Sequence, residues 1–165
     1  MEQNTYEVML RLADSASRAR FVEKAPQGKH GEYIAHDVIN QLALAMVGPH
    51  SFEVVELIRG YIPAWIDKNE KERMPQRIDG VTGVLARLSV TLPGHGLVTI
   101  TEVGSEDNPQ MGTDAENTKK AASDAYKRCW MRLGLGLELW AQENWSLPKM
   151  LTHYHTQVEG QGSLL

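Results

Sequence analysis

The stretch VTGVLARLSVTL, residues 81–92, alternates between apolar and other side chains over most of its length. Successive side chains of a β-strand point to opposite faces of the sheet, so this pattern predicts a strand with one apolar face. The apolar face holds Val84, Ala86, Leu88, Val90 and Leu92, and the other holds Leu85, Arg87, Ser89 and Thr91. The apolar face is suited to packing against another layer.

Two further strands are predicted on either side of this one. The turn sequence PGHG, residues 93–96, leads into LVTITEV at 97–103, which is the expected hairpin partner. Residues 51–62, SFEVVELIRGYI, are rich in β-branched and aromatic side chains, which also favours a strand. The polar stretch at 64–80 is expected to be a loop or a long hairpin tip. The middle of the chain is therefore predicted to be an antiparallel meander.

Three helices are predicted around the meander. Apolar residues recur at the helical period in residues 6–20 and 35–47, and Gly48-Pro49 is a typical stop for the second helix. Thr113 and Glu116 have the spacing of a capping box, which predicts that a long third helix begins near Asp114. Its expected buried stripe of mostly small residues is Thr118, Ala122, Ala125, Cys129 and Leu133, and Gly134 and Gly136 end it.

These elements predict an α+β fold, in which the three-stranded meander is packed by the long helix with N-terminal helices at its flank. The chain has 165 residues, enough for one core domain, expected at 1–150 with a polar C-terminal tail at 151–165. With a single cysteine the chain can form no intrachain disulfide. No apolar run approaches the roughly 20 residues of a membrane span. The N-terminus does not resemble a signal peptide, so a cytoplasmic protein is expected.

Common catalytic motifs are absent from the sequence. No P-loop, no strand-linked GxGxxG and no GxSxG nucleophile elbow occurs, and no cofactor is predicted. Cys129 lies on the apolar stripe of the long helix and is interpreted as a buried structural thiol. No catalytic residue and no metal ligand is predicted.

Positive charge gathers on the long helix although the chain has a formal net charge of −4. Tyr126 and Trp130 lie among these cations, and basic residues beside aromatic ones suit a groove for single-stranded nucleic acid. For Trp130 itself, core packing is favoured over stacking on a base. The hairpin region 66–78 adds Lys68, Lys71, Arg73 and Arg77, interleaved with acidic residues. The helix cations are Lys119, Lys120, Lys127, Arg128 and Arg132.

The segment DAYKRCWMRLGLGLELW, residues 124–140, resembles the end of the conserved domain of the Rad-fifty-two type single-strand annealing proteins, including phage Sak-like members. A second segment, EYIAHDVINQLALAMVG at 32–48, is similar to that family's upstream helix. The elements between the two segments also come in the family's order, so the resemblance covers roughly residues 6–145. It departs from the family pattern at three places. Asp37 and Met131 stand where the family has basic residues, and Pro49-His50 stands where the family has an aromatic residue.

The resemblance implies a β-β-β-α core that binds single-stranded DNA and anneals complementary strands without ATP, in recombination or repair in a bacterial or phage-infected cell. It implies assembly into a homo-oligomeric ring or filament. A single-strand binding protein is a candidate further partner, which the sequence itself does not identify. It assigns backbone contacts to Lys127 and Arg128. The rest of the expected DNA-binding set is Lys119, Lys120, Arg132, Arg73, Arg77 and Arg87. The acidic run at 102–116 is hypothesised to join subunits.

Two alternative functions remain open from the residues. The first is a metal-dependent nuclease that uses Glu53, Glu56 and histidines, since the HxH pair at His153 and His155 can hold a metal. Residues that could complete such a site are His30, His36 and Asp37. The second is a small binding module with a pocket between sheet and helix and no affinity for DNA.

Overall fold

The computed structural model describes residues 5–14, 16–24, 32–141 and 144–162. The helices are α1 (Thr5–Ala13), α2 (His36–Val47), α3 (Asp114–Met131), α4 (Glu138–Ala141) and α5 (Leu147–Gly162). The strands are β1 (Glu23–Lys24), β2 (Glu32–Tyr33), β3 (His50–Ile62), β4 (Trp65–Ile66), β5 (Glu72–Met74), β6 (Arg77–Leu92) and β7 (Gly96–Ser105). Short 3₁₀ helices lie at Ala16–Phe21 and Pro109–Met111.

The predicted α+β fold is confirmed, because β3, β6 and β7 form an antiparallel sheet in the order β3-β6-β7, packed against α3. The alternation in β6 is borne out, since all five residues of its predicted inner face are buried. The region predicted as a loop or hairpin tip is a hairpin. In it β4 pairs with β5 in antiparallel fashion, with Trp65 opposite Met74.

Contacts between α-carbons divide the chain into two compact units. The first contains the described residues of 1–50, 90–98 and 130–165, and the second contains 51–89 and 99–129. In the part of the chain that the structure describes, no helix is both long and apolar enough to cross a membrane.

In the second unit the sheet and α3 meet through small side chains. Val84 and Ala86 of β6 form a buried cluster with Ala121 and Ala125 of α3, and Phe52 packs against it. A Cβ added at Gly104 of β7 would collide with the backbone of α3 at Ala121 and Ala125. The close approach of strand and helix therefore requires glycine at this position.

The buried face of α3 differs from the predicted stripe. Ala125, Cys129 and Leu133 are buried as expected, but Thr118 and Ala122 are only half-buried. The N-terminal half of the helix instead buries Asn117 and Ala121, which are one position earlier. Asn117 is polar, so an apolar pattern could not find it; its Nδ2 donates to the carbonyl oxygens of Val81 and Pro109, each at 2.9 Å.

In the first unit α1 contacts both α2 and α5. The prediction of one helix over 6–20 is wrong, because α1 ends at Ala13 and a separate 3₁₀ helix follows at Ala16–Phe21. That 3₁₀ helix carries Arg18, whose side chain is fully buried. The Nε and Nη2 of Arg18 donate to the two carboxylate oxygens of Glu138 at 2.9 and 2.8 Å. This bidentate pair explains why a charged residue can be buried here.

The C-terminal segment is helical where a polar tail was predicted. Because α5 runs over Leu147–Gly162, the boundary expected at residue 150 lies inside a helix. The ring of His155 stacks on Tyr6 of α1 with centroids 3.7 Å apart, which contributes to the contact between α5 and α1. Helix α2 begins one residue after its predicted start, and it ends as predicted at Gly48, whose φ of 80° favours glycine.

Candidate nucleic-acid interface

The first turn of α3 is fixed by the predicted capping box. The backbone N–H of Thr113 donates to Oε2 of Glu116 at 2.7 Å, and the N–H of Glu116 donates back to Oγ1 of Thr113 at 3.3 Å. The hydrogen bond from the Thr113 backbone, and then that from its hydroxyl, lower the pKa of Glu116 below its ordinary value. The capping box therefore sets where α3 begins.

Four of the predicted DNA-binding cations lie on the part of α3 that belongs to the second unit. Two of them are paired within the chain: Nζ of Lys120 is 3.4 Å from Oε1 of Glu106, and Nε of Arg128 is 2.8 Å from Oδ2 of Asp124. Lys119 is exposed and Lys127 is half-buried. Among the residues that the structure describes, neither of these two lysines has an ion-pair or hydrogen-bond partner.

Asp124 joins α3 to the edge of the sheet. The same Oδ2 that accepts the Nε–H of Arg128 also accepts the backbone N–H of Ser105 at the end of β7, at 3.2 Å. The Arg128 guanidinium is therefore held beside the end of β7. The sequence contained a signal for this contact, because an Asp four residues before an Arg on a helix is a favourable pair.

The two aromatic residues among the cations belong to the core. Tyr126 is 3% exposed, and its ring meets Phe52 edge-on with centroids 5.1 Å apart. Trp130 is fully buried and meets His50 in the same manner at 4.9 Å. The core-packing role of Trp130 is confirmed. Neither ring is exposed for stacking on a base, so the aromatic part of the predicted groove is wrong.

The arginines of the hairpin region differ in burial and in the number of their contacts. The Arg77 guanidinium binds Oδ1 of Asp114 at 2.6 Å and the carbonyl oxygens of Pro109 and Gly112 at 2.7 Å each. Asp114 also accepts a hydrogen bond from Nη1 of Arg59 at 3.3 Å. Arg77 is thus a clasp between the start of β6 and the start of α3.

Arg73 and Arg87 are both exposed and paired. Nη2 of Arg73 is 2.6 Å from Asp67, while Nη1 of Arg87 is 3.0 Å from Glu53 on the neighbouring strand. Arg132 is exposed and lies just after α3, in the first unit. Five of the predicted DNA-binding residues of the second unit are therefore paired with carboxylates, and Lys119 and Lys127 are those without a counter-charge in the described part of the chain.

One residue of the acidic run at 102–116, which was hypothesised to join subunits, makes its contacts within its own chain. Glu106 pairs with Lys120 of its own chain and accepts the backbone N–H of Asn108 at 3.2 Å. Between residues 102 and 128 the chain has six acidic and four basic residues. The surface around α3 is accordingly not strongly basic.

Neither pair of residues in the nuclease alternative converges on a shared point. Glu53 and Glu56 are three residues apart on β3, so they point to opposite faces of the strand. His153 and His155 are two apart on α5, where side chains do not face each other. The described residues contain no group of three potential metal ligands, and His30 lies outside the described residues.

Cys129 is buried, as predicted. Burial and, to a smaller extent, the charge of Glu102 raise the pKa of its thiol to about 11. A thiol with this pKa is almost entirely protonated at neutral pH and is a poor nucleophile. For the binding-module alternative, the sheet and α3 are too close at Gly104 to leave a pocket at that point.

No model of a known protein family matches the chain, and no curated protein matches its sequence.

Proposed function

We propose that this protein binds single-stranded DNA and anneals complementary strands without ATP. The observation that carries the proposal is Lys127, which lies on α3 without a counter-charge in the described part of the chain and directly before Arg128. The β-β-β-α order of the second unit supports it too, because the resemblance to Rad-fifty-two type annealing proteins implies this core and assigns backbone contacts to the same two positions.

The proposed mechanism is charge neutralisation along the DNA backbone. Two DNA strands repel each other, and cations that replace condensed counterions on the phosphates lower that repulsion. Tyr126 and Trp130 are buried, so recognition would depend on phosphates rather than on stacked bases. The base edges would then stay free to pair with an incoming strand, and binding would not depend on sequence.

Each copy of the protein offers few uncompensated cations, so a single copy is expected to bind weakly. A ring or filament would place many such sites along one strand, and the linked contacts would raise the overall affinity. We place this activity in DNA recombination or repair in the cytoplasm of a bacterial or phage-infected cell. A single-strand binding protein is a further proposed partner.

The test is fluorescence anisotropy of a labelled single-stranded oligonucleotide at two salt concentrations. The Lys127→Ala/Arg128→Ala variant should bind more weakly and with a flatter salt dependence, because fewer counterions are released. The matched control is Lys68→Ala/Lys71→Ala, which removes two exposed charges from the hairpin tip and should change the affinity less. Equal losses in the two variants would reject the site, and no binding by the wild type at low salt would reject the function.

The same oligonucleotide distinguishes the proposed annealing function from the nuclease alternative. Incubation with Mg²⁺ or Mn²⁺ should leave it intact if the proposal holds. Its degradation by the wild type, abolished by Glu53→Gln or Glu56→Gln, would favour the nuclease.

A further inference from the structure

The outer edge of the sheet is formed by β3, a strand of 13 residues with a neighbour on one side only in the described part of the chain. Five consecutive residues of this strand, 53–57, are exposed. Their side chains alternate between the two faces, so the strand is open on both faces as well as along its edge. Three of the five are apolar: Val54 is 40% exposed, Val55 44% and Leu57 37%.

An edge strand of this kind presents unpaired backbone N–H and C=O groups, and these favour pairing with another strand. The other edge of the sheet, β7, is protected at its end, where the Asp124 carboxylate binds the N–H of Ser105. The structure shows no comparable side-chain cover along residues 53–57 of β3 among the described residues. The partner of β3 is therefore expected to be an extended strand.

The sequence of β3 is complementary to itself in the antiparallel direction. Residues 53–59 read EVVELIR. When two copies pair about a two-fold axis at Glu56, Glu53 of one copy lies opposite Arg59 of the other. Val54 then lies opposite Ile58, and Val55 opposite Leu57. Opposite charges and apolar pairs directly across two strands stabilise a sheet, and the only unfavourable pair is Glu56 with its own copy.

We propose that β3 is a dimerisation edge, which pairs with β3 of a second copy in this register. Glu53 and Arg59 already have partners in their own chain, but their side chains are 56% and 40% exposed and remain accessible to the other copy. The contact does not depend on DNA binding. A two-fold contact closes on itself, so a ring or filament would need a second surface in addition.

The first test uses a cysteine at the proposed axis. In Glu56→Cys, the two thiols of a dimer would be about 5 Å apart, whereas in Glu53→Cys they would be about 20 Å apart, six residues along the strand from their partners' positions. A short bifunctional maleimide should therefore cross-link Glu56→Cys into a dimer and leave Glu53→Cys mostly monomeric. Cys129 is buried and should give little background. No cross-linked dimer, or equal amounts from both variants, would overturn the proposal.

The second test measures self-association by sedimentation over a range of protein concentrations, without DNA. Val55→Lys should raise the dimer dissociation constant about tenfold or more, and Glu56→Thr should lower it severalfold because it removes a like-charge pair. Thr101→Lys, an exposed position on β7, is the control and should leave it unchanged. A monomer at every concentration, or an assembly that Val55→Lys does not weaken, would contradict the proposed edge. Loss of DNA binding alone would leave it standing.

Discussion

The Nε of Arg128 lies 2.8 Å from Oδ2 of Asp124, one turn earlier on α3. Since both side chains are partly exposed, with 37% and 29% of their area accessible, the pair can be opened by a competing anion. A DNA phosphate that binds Arg128 must compete with this carboxylate. Asp124 is therefore expected to limit the affinity of the proposed interface for DNA.

Asp124→Asn should raise the affinity for single-stranded DNA. An exposed pair of this spacing is worth about 0.3–0.5 kcal/mol, and removing the negative charge adds to this, so we expect a gain of about two- to fivefold. Asparagine can still accept the N–H of Ser105. The control is Glu116→Gln, which makes the same change of charge on α3 and keeps a capping-box residue. An unchanged affinity, or the same gain in the control, would argue against Arg128 as a phosphate contact.

Arg77→Lys should destabilise the fold without a specific effect on DNA binding. Lysine cannot reproduce the contacts of the guanidinium with Asp114 and two carbonyl oxygens, so a loss of about 2 kcal/mol in the free energy of unfolding is expected. Arg73→Lys, at an exposed pair, should cost well under 1 kcal/mol. Urea denaturation measures both. If Arg77→Lys is as stable as the wild type, Arg77 is not the clasp described above.

Gly104→Ala should be among the more damaging single substitutions in the sheet. The added Cβ would meet the backbone of α3, which cannot move without separating helix and strand, so a loss of about 3 kcal/mol is expected. Gly60→Ala is the matched control, because among the described residues a Cβ there has only Thr82 Cγ2 nearby, at 3.8 Å. Thermal unfolding that shows equal losses would mean that sheet and helix are not in close contact at Gly104.

The raised pKa of the Cys129 thiol predicts that the free energy of unfolding depends on pH in the alkaline range. The folded thiol has a pKa of about 11, raised from an ordinary value of 9.0, so its contribution to stability is complete below pH 9 and is lost as the pH rises toward 11. The free energy of unfolding of the wild type should therefore fall more steeply over this range than that of Cys129→Ala. At pH 8 a thiol reagent should label the native protein slowly and the urea-unfolded protein fast. Parallel stability curves and fast native labelling would show an accessible thiol.

The strands, the end of α2 and the start of α3 followed from local patterns. The alternation at 81–92, the stop at Gly48 and the box of Thr113 with Glu116 each depend on neighbours within a few residues of the chain. The break after α1 could not be predicted in this way, because the buried Arg18 is paired with Glu138, which is 120 residues away in sequence. The polar composition of residues 151–162 likewise concealed α5, whose contact with α1 is tertiary.

The cations of the candidate site could be predicted from the sequence, but which of them have a carboxylate partner could not. The sequence identified the cations of α3, yet whether each has a counter-charge depends on which carboxylate the fold brings near it. Glu106 reaches Lys120 across 14 positions of the sequence, while Arg77 reaches Asp114 across 37. Of these three ion pairs, only that of Arg128 with Asp124 could be predicted from the sequence, because the two residues are four positions apart on a helix.

The proposed annealing function is tested most directly by the rate at which two complementary labelled oligonucleotides form a duplex, with and without the protein and with no nucleotide added. We expect the protein to accelerate annealing by about tenfold or more at low salt, and the effect to fade as salt is raised. The Lys127→Ala/Arg128→Ala variant should lose most of the acceleration. A rate equal to that of the DNA alone at low salt, with folded protein in excess, would contradict the annealing function.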